Sequence, residues 1–205
     1  MTPIPVTPAV APITLGDTIP LGRLRTVALV VGGALLTAAV AQFRLSLGFT
    51  PVPITGQTFA VLLVGAALGW RKAVASQSLY WVLGAIGLPF YAGHEGGWQA
   101  ATGSTFGYFV GFVIAAAAVG YLAERRQDRQ FVTSWTAMLA GTVLIYAAGC
   151  AWLAHSLHIP FYSGDGKDAF TFGLTPFIAG DMLKLTLAAA LTPVAWRFVE
   201  RGARD

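Results

Sequence analysis

Charge is scarce in this sequence. Only 11% of its 205 residues are Asp, Glu, Lys or Arg, against about a quarter in a soluble domain. So few charges cannot solvate a surface of ordinary size. The 56% of hydrophobic residues need an apolar solvent, and a bilayer is one. Cysteine is scarcer still: Cys150 stands alone in an apolar run, which excludes an internal disulfide and reads as a small packing residue. The three histidines, His94, His155 and His158, are spread over two regions without metal-ligand spacing. No Ser/His/Asp set or paired carboxylates mark a hydrolase, and no GxxxxGK[ST] loop marks a nucleotide site. The chain is therefore not expected to be an enzyme, to hold a metal or cofactor, or to hydrolyse ATP itself.

What is present is a series of apolar runs with basic ends. A membrane helix needs about 20 residues, within a range of about 17–25. Six apolar segments can be cut from the sequence: about 24–43, 54–70, 73–88, 106–123, 134–157 and 173–199. None alternates as a barrel strand does. The expected fold is an all-α integral membrane protein, a six-helix bundle over residues 23–201. The second and third segments are short and joined tightly through Gly69, Trp70, Arg71 and Lys72, so five helices with one re-entrant segment is the alternative. Residues 1–22 carry Pro3, Pro5, Pro8, Pro12 and Pro20 and no Lys or Arg. They lack the positive start and continuous apolar core of a secretory signal and read as a mobile cytoplasmic tail.

Orientation follows from the basic residues. Arg23, Arg25, Arg71, Lys72, Arg125, Arg126, Arg129, Arg197, Arg201 and Arg204 fall on one side, and only Arg44 and Lys167 on the other. The net charge of +4 is thus explained by topology, with no nucleic-acid partner implied. Both termini are expected in the cytoplasm. The outer loops, about 44–53, 89–105 and 158–172, are the longer ones and the expected place of recognition.

Asp181 and Lys184 are the charges set well inside a span. Such residues face a bundle interior and mark a site or pathway, unless the pair only neutralises itself. Three apart, they share a helical face, and Pro176 and Gly180 place them near the outer end of the last helix. A carboxylate accepts N–H bonds and an ammonium donates to a carbonyl, which suits a neutral or anionic small molecule. The first helix carries small residues four apart, Ala28 and Gly32, then Ala34 and Ala38. Such faces serve packing within a bundle or docking to a membrane partner.

Four ordered motifs now stand out: Thr50-Pro51-Val52-Pro53-Ile54-Thr55 with Gln57-Thr58-Phe59-Ala60-Val61-Leu62-Leu63; Leu83-Gly84-Ala85-Ile86-Gly87-Leu88-Pro89 with Ala92-Gly93; Gly103-Ser104-Thr105-Phe106-Gly107-Tyr108 with Gly111-Phe112; and Pro176-Phe177 with Gly180-Asp181-Met182-Leu183-Lys184. Together they resemble BioY, the substrate-binding S component of energy-coupling factor (ECF) biotin transporters. The resemblance implies biotin uptake across the bacterial cytoplasmic membrane by a multi-pass protein. It implies partners, a T component and two ATPase subunits, though some members of the family work without them. It sets Asp181 and Lys184 on the biotin ureido ring, with Gln57, Tyr91, Gly93, Trp98, Thr105 and Tyr108 completing the site. It likens Ala34 and Ala38 to the motif that meets the T component. For the biotin carboxylate, the amides opening the fourth span near Thr105–Tyr108 are the first choice and Arg44 the second. Ser104 and Phe106 depart from the family's Gly-Pro-Thr-Gly-Gly-Tyr, standing for its proline and a glycine. An S component or facilitator for another vitamin is the alternative.

Overall fold

The computed structural model describes residues 13–19 and 22–202. Eight α-helices and one two-stranded ladder follow in order: α1 Arg25–Ala41, β1 Arg44–Leu45, β2 Ile54–Thr55, α2 Gln57–Leu68, α3 Trp70–Ala85, α4 Trp98–Thr102, α5 Phe106–Glu124, α6 Phe131–Leu157, α7 Ala169–Gly173 and α8 Ile178–Gly202. Six of these, α1, α2, α3, α5, α6 and α8, are long. Three stretches, Phe106–Glu124, Phe131–Leu157 and Ala169–Arg201, are long and apolar enough to cross a membrane, and α1 and α2 are shorter apolar helices.

Side-chain size decides which face of each helix turns inward. α1 buries only its small residues Gly33, Ala34, Thr37, Ala38 and Ala41, at the i, i+3, i+4 spacing of one helical face. Val27, Val31, Leu35 and Leu36 on its other faces are exposed. Gly33 lies so close to α3 that an added Cβ would sit 2.4 Å from Ser76 Oγ. Ala34 and Ala38, expected at the docking face, are buried within this bundle. α1 leaves Ala28 and Gly32 exposed instead. α5 and α6 approach by the same means: a Cβ on Gly107 would meet Ala148 O at 2.5 Å, and one on Gly111 would meet Ile145 Cα at 2.8 Å.

α2 is the central helix, with eight of its twelve residues buried. It packs against α1, α3, α5 and α8. Twelve residues rise about 18 Å, less than the hydrocarbon thickness of about 30 Å, so its outer end gives way to loop. The second span was expected to start at 54. Residues 54–55 pair instead with 44–45 in an antiparallel ladder, Arg44 opposite Thr55. At its other end α2 stops at Gly69, whose φ of 76° glycine adopts without a Cβ clash. α3 follows at once, three residues earlier than expected, and Glu124 at the end of α5 accepts the Trp70 N–H at 3.1 Å. Both are regular helices, of 12 and 16 residues.

Residues 13–19 belong to the stretch expected to be a mobile tail, yet they form an ordered 3-10 turn, Leu15–Thr18. Thr14 and Asp17 cap each other, and Asp17 takes the Lys72 ammonium at 2.8 Å. Burial pushes the Asp17 carboxyl up, but the Lys72 and Thr14 hydrogen bonds outweigh it and hold the pKa below the usual value. The rest of the expected tail, 1–12 and 20–21, lies outside the described residues.

The basic ends gather at one end of the bundle, where Arg129 lies 3.2 Å over the Trp196 ring and reaches Glu200 at 3.5 Å. At the other end, loops 42–56, 86–105 and 158–177 close over the helices.

Candidate functional site

Beneath those loops lies a cavity of about 230 Å³, bounded by α2, α5, α6, α8 and the 44–55 and 91–105 loops. Its two ends are polar and its middle is aromatic.

The floor is built on Asp181, 3% exposed. Lys184, one turn on, donates to Oδ1 at 2.6 Å. Thr58, from the first turn of α2, donates to the same oxygen at 3.2 Å. Tyr146 of α6 donates to Oδ2 at 2.7 Å. Three helices thus fix one carboxylate. An ionised carboxylate offers about four lone-pair sites, so three donors leave room for one from a ligand. Beside it, Gln57 donates to the Tyr80 hydroxyl at 2.7 Å and accepts from Thr55 at 2.8 Å, so its amide is held as part of the wall.

The aromatic middle is lined by Tyr91, Tyr108, Phe109, Phe112 and Phe177. Tyr91 turns its hydroxyl away, onto Trp81 O at 2.6 Å, and stacks on Phe109 at 4.7 Å between centroids. Burial raises the Tyr91 phenol's pKa, which keeps it a donor. Tyr108 likewise gives its proton to Gly173 O at 2.8 Å. Both therefore present ring rather than hydroxyl to the cavity.

The mouth carries Arg44, which follows α1. Its Nη1 donates to Glu95 Oε1 at 3.1 Å and to Ala92 O at 3.3 Å, and its Nε donates to Ser46 Oγ at 3.1 Å. The cavity therefore has a carboxylate–ammonium pair at one end, a guanidinium at the other and an apolar slot between. That arrangement suits an elongated molecule with a donor–acceptor head and an anionic tail.

Of the residues expected in the site, the structure brings Asp181, Lys184, Gln57, Tyr91, Thr105 and Tyr108 onto this wall. Trp98 is not on it: it is 67% exposed and packs edge-on against Trp81. Gly93 lies behind the wall, under Arg44, where an added Cβ would sit 2.2 Å from Nη1. Of the amides expected to hold the anion, two are engaged in turns, Phe106 N–H with Gly103 O at 3.1 Å and Tyr108 N–H with Thr105 O at 3.0 Å. The Phe106 side chain packs on Trp81 and Trp152, away from the cavity, while Ser104 lines it. Thr58, which the sequence analysis held only within a motif, and Tyr146 and Glu95 line the cavity without having been expected there. Among the described residues no three His, Cys, Asp or Glu gather as metal ligands.

Comparison with known proteins shows the family. The family model for the BioY family matches residues 3–201. The biotin transporter BioY of Thermotoga maritima is 34% identical over 163 residues, 80% of this chain and 92% of that protein. BioY of Rhizobium etli is 37% identical over 154 residues, 72% of this chain and 79% of that one. A probable biotin transporter BioY of Pyrococcus horikoshii is 36% identical over 169 residues, 82% and 94% of the two chains. The fold is shared with a crystal structure of the S component for biotin from an ECF-type ABC transporter, with a TM-score of 0.75 at 20% identity over 87% of this chain and 94% of that one. With its family model matched almost end to end, the chain belongs to the BioY family.

Proposed function

We propose that the chain is the biotin-binding S component of an ECF-type transporter, crossing the cytoplasmic membrane six times through α1, α2, α3, α5, α6 and α8 with both termini inside. The observation that carries this reading is the pairing of Asp181 and Lys184 at the floor of a cavity whose mouth holds Arg44. The biotin ureido ring has two N–H donors and a carbonyl, and its valerate chain ends in a carboxylate. Asp181 accepts a ureido N–H and Lys184 donates to the carbonyl. The bicyclic ring lies among Tyr91, Tyr108 and Phe109, and Arg44 takes the carboxylate as a charge-assisted bond. The positive ends of the helices on the opposite side set the orientation.

No nucleotide loop is present, so uptake driven by ATP draws on separate ATPase subunits through a T component. Ala28 and Gly32, the small residues that α1 leaves exposed, would meet that partner, since small residues allow close helix approach. The test is to purify the chain in detergent and titrate it with labelled biotin beside thiamine and riboflavin. Saturable binding of biotin alone is expected, and binding of another vitamin in its place would overturn the assignment.

A further inference from the structure

The loop between α3 and α4 is shaped around Arg44. Gly93 and His94 both take left-handed backbone, φ 76° and 62°; for a non-glycine residue such as His94 this conformation is uncommon. The turn is held from below: Gln42 accepts the His94 N–H at 2.9 Å and donates to Phe90 O and Tyr91 O. Glu95 O accepts the Tyr91 N–H at 3.0 Å. Gly93 has no Cβ to push the guanidinium aside, and Ala92 O receives Nη1. The backbone of the loop would hold Arg44 in place without any help from the Glu95 side chain. What that side chain adds is a carboxylate on Nη1, at the mouth of the cavity.

We propose that Glu95 is an internal competitor for the ligand's carboxylate at Arg44, and so sets how far the site favours an acid over its neutral amide. This rests on the biotin reading above, in which Arg44 takes the valerate carboxylate. An anion arriving at Arg44 either displaces the Glu95 carboxylate or sits beside it, and like charges side by side oppose binding. Both routes weaken the acid and leave a neutral ligand untouched. The Glu95 side chain is 56% exposed and Arg44 33%, so the pair is solvated and its effect modest. The site thus holds its anion less tightly than a bare guanidinium would, and the attenuation resides in one side chain outside the floor and the aromatic slot.

The test measures equilibrium binding of biotin and of biotinamide to the full chain and to Glu95→Gln, with Glu95→Ala as a second variant that also removes the amide. The expected result is tighter biotin binding in both variants, about two- to fivefold for an exposed ion pair, with biotinamide unchanged. Weaker biotin binding in the variants would overturn the inference, because Glu95 would then be holding Arg44 in place. Equal shifts for both ligands, or none, would overturn it too. Failure of the unsubstituted chain to bind biotin would bring down the biotin reading and this inference together, a result separable from the others because it needs no variant.

Discussion

Tyr146 gives its hydroxyl proton to Oδ2 of Asp181 across the contact between α6 and α8, at 2.7 Å. Lys184 and Thr58 occupy the other oxygen. The carboxylate is thereby held in one orientation by side chains from three helices, and its remaining acceptor capacity points at the cavity.

Replacing Tyr146 with Phe keeps the ring between Tyr108 and Phe177 but frees Oδ2. A hydrogen bond to a charged group contributes about 1.5–3 kcal/mol. The thermal midpoint in detergent should fall, and biotin affinity should fall with it because the carboxylate loses its fixed orientation. A large loss of thermal stability with unchanged affinity would make Tyr146 a packing residue only.

Asp181→Asn turns one acceptor into a donor facing a ureido N–H. The cost of a buried polar group left without its partner is about 1–3 kcal/mol, so biotin should bind about five- to a hundredfold more weakly. Isothermal titration beside Lys184→Ala checks this, and unchanged affinity in Asp181→Asn removes that residue from the site.

Gly93→Ala tests the mouth without touching charge. Its Cβ would meet Arg44 Nη1 at 2.2 Å and its φ is 76°, so Arg44 must shift. Biotin should lose affinity and biotinamide should not, a difference read by competition between the two.

Gly107→Ala tests how closely α5 and α6 approach. The added Cβ would lie 2.3 Å from Trp152 Cβ and 2.5 Å from Ala148 O, and backbone cannot step aside. Overpacking of this kind costs about 1–3 kcal/mol. A lower melting temperature in detergent is expected, and an unchanged one would show that the helices slide freely.

Asp168 opens α7 by accepting the Thr171 N–H at 2.7 Å, and it also takes the Ser163 N–H at 3.0 Å. The Ser163 and Thr171 backbone bonds hold its carboxyl down to about 2. A carboxyl lowered in the folded state contributes stability above its ordinary value near 3.9 and loses it as pH falls through the folded value. Hydrogen exchange in the 158–173 loop should therefore be flat from pH 7 to pH 4 once intrinsic rates are removed. Asp168→Ala, which removes an N-cap, should speed exchange in the loop at every pH in that range.

The sequence made the six long helices legible because apolar run length and basic ends are local properties. The inward charges were legible too, since Asp181 and Lys184 break an apolar run. What it hid was pairing over long separations. Tyr146 is 35 residues from Asp181, and Thr58 is 123. Neither differs in type from many structural residues, and only the packing of α2, α6 and α8 brings them to one carboxylate. At the helix start expected to offer free amides, the turns at Gly103 and Thr105 take those of Phe106 and Tyr108, while the ladder puts Arg44, the second choice for the carboxylate, on the cavity wall. Four-residue spacing sets Ala34 and Ala38 on one face, and only their burial shows that this face turns inward in the chain alone.

The two-residue ladder has a metrological consequence. Arg44 pairs with Thr55 through the backbone, and three residues on Thr58 touches Asp181. Under the proposed biotin reading, the groups for the ligand's head and tail are tied to one short stretch of chain, and a homologue one methylene shorter or longer in its chain should bind more weakly.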